Sequence, residues 1–125
     1  MKEIFVAFQK SLRRFEEILA KEKTPEYRDA AIQRFEFVIK LAWKSLQKFF
    51  QEEKIICRSP KECLREAFKM GMVDDDATWI TMLDDRNLTV HTYDEKFADE
   101  IYTRLPKYLE ILQNLYKKIE EKQEN

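Results

Sequence analysis

The chain alternates apolar and polar positions with helical period. From about Lys2 to Glu22, Ile4, Phe5, Phe8, Leu12, Phe15, Ile18 and Leu19 return every three or four residues. That spacing predicts one apolar helix face. "KTPEY" predicts the end of this helix, because the residue before a proline avoids helical dihedrals. A second stripe runs from about Tyr27 to Gln51 through Phe35, Val38, Ile39, Ala42, Leu46 and Phe49. Phe37, Leu41, Trp43 and Phe50 widen it beyond a single face. A helix apolar over so wide an arc must be covered on two sides, so this one is predicted to be central, or to form part of a subunit interface.

Three further helices follow. "SPKE", Ser59 to Glu62, is a start signal: a serine cap, a proline at the first helical position and a glutamate completing a capping box. Gly71 is expected just past the end of that short helix, in the left-handed conformation that closes many helices. A fourth helix begins after Asp74 or Asp75. It carries Trp79, Ile80, Met82 and Leu83 toward Arg86 and Leu88. The fifth runs from about Asp94 to Glu120 on Phe97, Ile101, Leu105, Tyr108, Leu112, Leu115 and Ile119. Thr92 and Glu95 have the spacing of a capping box at its start. The fold class expected is all-α: one domain over residues 1–125, an antiparallel up-and-down bundle of about five helices, three long and two short. The second and fifth helices, at roughly 35–40 Å, are long for a small monomer and favour a homodimer.

Composition narrows this reading. A single glycine among 125 residues argues against sandwiches and barrels, whose turns draw on glycine. A formal net charge of −1 argues against a general nucleic-acid coat but leaves room for a local basic patch. Cys57 and Cys63, with one histidine elsewhere, do not make a structural zinc site. They are expected to be two free thiols, which fits a reducing cytoplasm. The N-terminus lacks the apolar segment of a signal peptide, and no apolar run approaches the length of a membrane span. No metal and no cofactor is expected.

The chemistry concentrates in "DDRNLTVHTYDE", residues 84–95, which holds the only histidine. On a helix, Arg86, Val90 and Tyr93 share one face while Asn87 and His91 share the next. Arg86 and His91 then stand about 140° apart. They converge if the arginine wraps, if the helix breaks near His91, or if a second copy of the site faces the first. The Thr92–Glu95 box favours the break. An imidazole can take a proton from a ribose hydroxyl and return one to a leaving group. A guanidinium can hold a phosphate and stabilise its developing charge. Asn87 suits a bond to the phosphate or to the histidine, and Tyr93 supplies a phenol. The alternative is structural: Arg86 paired with Asp84 or Asp85 at the surface, and His91 bonding a last-turn carbonyl.

"RNLTVHTY", residues 86–93, resembles the R-x4-H-x-Y signature of the HEPN superfamily. "AAIQRFEFVIKLAWKSLQKFF" (30–50) and residues 59–95 resemble the nucleotidyltransferase substrate-binding protein family, so the likeness covers nearly the whole chain. It implies an all-α homodimer that partners a minimal nucleotidyltransferase encoded nearby. It also implies roles for four residues. Arg86 and His91 would form a catalytic pair for metal-independent RNA cleavage, Asn87 would be their polar neighbour, and Tyr93 would accept AMP from the partner. The chain itself has no Gly-Ser loop followed by paired aspartates. "VDDDA" reads as helix-start residues, so this chain does not transfer nucleotides alone.

Three functions therefore compete. One is a binding subunit completing a minimal nucleotidyltransferase, with Phe37, Trp43 and Phe50 as its partner surface. Another is a ribonuclease toxin whose RNA or nucleotide affinity rests on a patch of Arg86, Arg104 and Lys107. The third is a purely structural helical dimer. None requires a membrane.

Overall fold

A computed structural model describes residues 2–74, 76–91 and 94–124; for Lys2, Asp76, His91 and Glu124 the description stops at the backbone. It contains five helices: α1 (Lys2–Leu19), α2 (Pro25–Glu52), α3 (Pro60–Lys69), α4 (Asp76–His91) and α5 (Glu95–Glu124). No strand occurs among the described residues. The all-α expectation holds.

Local chemistry explains most boundaries. α1 stops at Leu19, the last residue of its apolar stripe, short of the expected Glu22. α2 begins at Pro25, because Thr24 turns its hydroxyl onto the Tyr27 N–H at 3.0 Å and Pro25 fits the first helical position. Ser59 caps α3 by accepting from the Glu62 N–H at 3.1 Å. The return bond of the expected box comes to Glu62 Oε2 from the N–H of Arg58, at 2.8 Å. Gly71 sits at φ 72°, as its position predicts. The Met72 N–H reaches back to the Ala67 carbonyl and the Gly71 N–H to that of Phe68, a Schellman closure. α2 ends the same way, with Lys54 rather than a glycine at φ 62°.

Two expectations need correction. α5 starts at Glu95, later than a Thr92 cap would place it. Asp94 takes that role: its carboxylate accepts from the Lys96 N–H and its carbonyl from the Ala98 N–H. Thr92 itself lies outside the described residues. Cys57 and Cys63 are joined in a disulfide rather than free. The α2–α3 loop folds back on the first turn of α3 and brings their α-carbons to 5.1 Å, within bridging range. The cysteines thus no longer argue for a reducing compartment.

α2 packs against every other helix, α1 and α5 on one side and α3 and α4 on the other. This is why it is apolar over so wide an arc. Phe8, Phe15, Phe35, Leu105 and Leu112 are fully enclosed in one continuous core. Each contributes about 1.5–3 kcal/mol by its burial. Phe50, expected on a partner surface, belongs to this core; Trp43 is partly buried against it, and only Phe37 stays open. The ring of Phe35 stacks on Tyr108 at 5.4 Å, which fixes α2 against α5 beside the charged stretch of α4. Two turns nearer the start of α2, Arg28 is 4% exposed and donates to Asp29 and Asp99, tying the start of α5 to α2. The hydrogen bonds from Lys23 and then from Arg28 hold the Asp99 carboxyl below its usual range. Among the described residues no helix is long and apolar enough to cross a membrane.

Candidate functional site

α4 faces the core with Trp79, Met82 and Leu83, and leaves Ile80, Leu88 and Val90 exposed. Its two neighbouring charges, Asp85 and Arg86, go in different directions. Consecutive helical residues diverge by about 100°. Asp85 turns inward and is 5% exposed. It accepts a bidentate pair from Arg104, Nε at 2.8 Å and Nη2 at 3.0 Å. It also accepts from the Tyr108 hydroxyl at 2.6 Å. Burial first, and then the bond to Asp85, push the Tyr108 phenol above the ordinary tyrosine range.

Arg86 is therefore not neutralised by its acidic neighbours. It makes no ion pair with any described residue. Its Nη1 donates to Asn87 Oδ1 at 3.0 Å, while its Nε is buried without a partner among the described residues. Arg86 lines a cleft of about 480 Å³ between α1, α2 and α4. Arg14, Arg34 and Lys40 line the same cleft, with Phe37 and Val90 as apolar wall. Glu36 is the one carboxylate among the lining residues. The Nη1 of Arg34 donates to the Arg14 carbonyl at 3.0 Å and so bridges α1 and α2 across the cleft. A second hollow of about 190 Å³ shares Gln33 and Glu36 with it and reaches Thr89 and Asp94.

The structure sorts the expected site residues. Arg86 and Asn87 are together. α4 runs unbroken to His91, so the helix break expected near His91 comes only after it. The His91 side chain and the whole of Tyr93 lie outside the described residues. The expected basic patch does not form as read. Arg104 is occupied by Asp85, and Lys107 lines a different hollow, alongside Trp79 and Asn114, 3.9 Å from Glu110. The cations that do join Arg86 are Arg14, Arg34 and Lys40. Their signal in the sequence was faint: each stands off the apolar stripe of its helix, where a charge is usually just solvated.

This geometry can hold an anion, a phosphate above all. The family described as nucleotidyltransferase substrate binding protein like matches residues 3–121. A crystal structure of a Thermus thermophilus protein superposes with a TM-score of 0.82 at 38% identity, over 90% of this chain and 98% of that one. A Haemophilus influenzae protein, described as revealing the fold of a substrate binding domain of a nucleotidyltransferase, superposes with a TM-score of 0.70 at 25% identity. That match covers 95% of this chain and 96% of the other. The probable ribonuclease HepT of Haemophilus influenzae is 36% identical over 84 residues, 63% of this chain and 58% of that protein's length. The chain belongs to the nucleotidyltransferase substrate binding protein-like family.

Proposed function

We propose that this chain is the partner subunit of a two-component minimal nucleotidyltransferase system of toxin–antitoxin type, and that its own chemistry is metal-independent cleavage of RNA. The observation that carries the second half is the position of Arg86: unpaired, anchored by Asn87, and open to a cleft with three more cations. A purely structural dimer has no use for four cations around one carboxylate in a chain of net charge −1. Arg86 holds the scissile phosphate. His91 takes the proton from the ribose 2′-hydroxyl as that oxygen bonds to phosphorus, then protonates the 5′-oxygen as the P–O5′ bond breaks.

Arg86 and His91 stand on one unbroken helix, so a second copy facing the first is the simplest way to bring an arginine onto a histidine's phosphate. The exposed Ile80 and Leu88 of α4 suit that homodimer. Tyr93 accepts AMP from the partner enzyme in the cytoplasm, and the added phosphate draws Arg86 away from RNA.

Two incubations test this. With single-stranded RNA and EDTA, wild type should cleave, while Arg86→Ala and His91→Ala should lose about 10²-fold or more and keep their helical circular dichroism. With the neighbouring nucleotidyltransferase, ATP and Mg²⁺, intact mass should rise by AMP units, and Tyr93→Phe should abolish the gain. Equal cleavage by the double-alanine variant moves the site elsewhere. A stable complex with neither cleavage nor mass gain leaves a non-catalytic binding subunit.

A further inference from the structure

Three of the four cleft cations lie outside the motif, and two of them flank an exposed aromatic. Arg34, Phe37 and Lys40 follow one another at three-residue intervals along α2. Residues three apart are neighbours on a helix surface, and Arg34 and Lys40 are separated by about 9 Å of helix rise. That spread suits two successive phosphates better than one. Phe37, between them, is 56% exposed although it stands on the helix that packs against all the others. Arg14, across the cleft on α1, and Arg86, on α4, extend the cations onto both neighbouring helices. None of the four pairs with a carboxylate among the described residues. The bond from Arg34 to the Arg14 carbonyl sets its guanidinium in place before any ligand arrives.

We infer that this cleft is the path of a single-stranded RNA, with Arg14, Arg34 and Lys40 holding backbone phosphates and Phe37 stacking one base. The inference rests on the ribonuclease reading above and assigns residues beyond its motif. Alternating cations and an aromatic is how sequence-tolerant single-strand grooves are built, since every base has a π-face and every linkage a charge. A mononucleotide would leave most of this row unused. The strand leads to Arg86 at one end, so these residues position RNA and Arg86 meets the reacting phosphate.

The test uses the full chain and a fluorescent 12-nucleotide RNA that is 2′-O-methylated throughout, which binds but offers no nucleophile. Anisotropy should show Arg34→Ala/Lys40→Ala binding roughly tenfold or more weakly. Its log–log salt slope should flatten by about 1.4, two phosphate contacts' worth on a single strand. Phe37→Ala should weaken binding roughly tenfold with the slope unchanged, the mark of lost stacking rather than lost charge. Arg34→Lys/Lys40→Arg should bind nearly as wild type, which separates lost charge from misfolding.

Wild-type affinity and slope in the double-alanine variant would overturn the inference. So would loss of binding that follows a change in sedimentation, or displacement of the 12-mer by equimolar ATP. The two readings fail separately. If the α2 variants bind normally but Arg86→Ala still stops cleavage, only the strand path is wrong. If the 12-mer binds through α2 and unmodified RNA is never cut, only the ribonuclease reading is wrong.

Discussion

Asp85→Ala is expected to destabilise the chain by about 3 kcal/mol, although Asp85 precedes a residue proposed to act on substrate. The carboxylate is 5% exposed and accepts three hydrogen bonds. Tyr108 is 2% exposed, so its hydroxyl finds no water once the carboxylate is gone. An unsatisfied buried donor costs about 1–3 kcal/mol. Arg104 loses less, because its side chain is 38% exposed and solvent takes over, leaving about 0.5–1 kcal/mol. On a domain of this size the total lowers the melting temperature by roughly 10 °C.

Urea melts followed by circular dichroism measure the change, and a double-mutant cycle with Tyr108→Phe isolates its cause. Tyr108→Phe alone should cost about 1 kcal/mol. In that background Asp85→Ala should cost at least 1 kcal/mol less than it does in wild type, because no phenol is left stranded. Asp84→Ala, one residue away and exposed, should change stability by less than about 0.5 kcal/mol. An Asp85→Ala midpoint equal to wild type, or strict additivity with Tyr108→Phe, would refute the network.

Three other outcomes are expected. Stability should fall as pH rises above about 10, where unfolded tyrosines ionise while folded Tyr108, its phenol pushed up by burial and by Asp85, keeps its proton. The contribution is fully present below that pH. Tyr108→Phe should shrink the loss without abolishing it, since burial also raises Tyr116. Gly71→Ala should cost about 1 kcal/mol through backbone conformation alone, because a Cβ there meets nothing within 4 Å. Lys54→Gly, at the matching position after α2, should gain about as much, and opposite signs in paired urea melts are the check. Reducing the Cys57–Cys63 disulfide should cost about 2 kcal/mol, the loop-closure value for so short a ring. A melt unchanged by reductant would contradict it.

Much of the fold was legible because its signals are local. The stripes of α1, α2 and α5, the Ser59 cap and Gly71 each depend on residues within a turn or two of one another. The start of α5 was placed to within a residue, but its cap was not, because Thr92 and Asp94 are both capable caps and spacing alone does not choose between them. The disulfide was hidden for a related reason: whether two cysteines six apart meet depends on how the loop between them folds. Asp84 and Asp85 look alike in sequence, and only the packing of α4 on α5 decides which one is buried. The cleft was least legible. Arg14, Arg34, Lys40 and Arg86 come from three helices, and nothing short of the bundle itself brings them together.

The same packing bears on the role proposed for Arg86, which stands on a short, weakly amphipathic helix. Arg86 is useful only if it is charged, unpaired and held still. The nearest carboxylate in sequence is the obvious threat, since an Asp85–Arg86 surface pair would neutralise it. Arg104 and Tyr108 remove that threat by binding both oxygens of Asp85 in the interior. The network that keeps Asp85 from Arg86 also fixes the register of α4 on α5, so Arg86 is positioned by the burial of its neighbour. A variant that moves Asp85 to the surface without unfolding the chain would separate these effects. Tyr108→Phe/Arg104→Gln is such a change. It should leave the helices intact while releasing Asp85 toward Arg86, so that RNA affinity falls with no substitution in the cleft. If affinity is unchanged while stability drops, the network serves the fold alone and Arg86 needs no such protection.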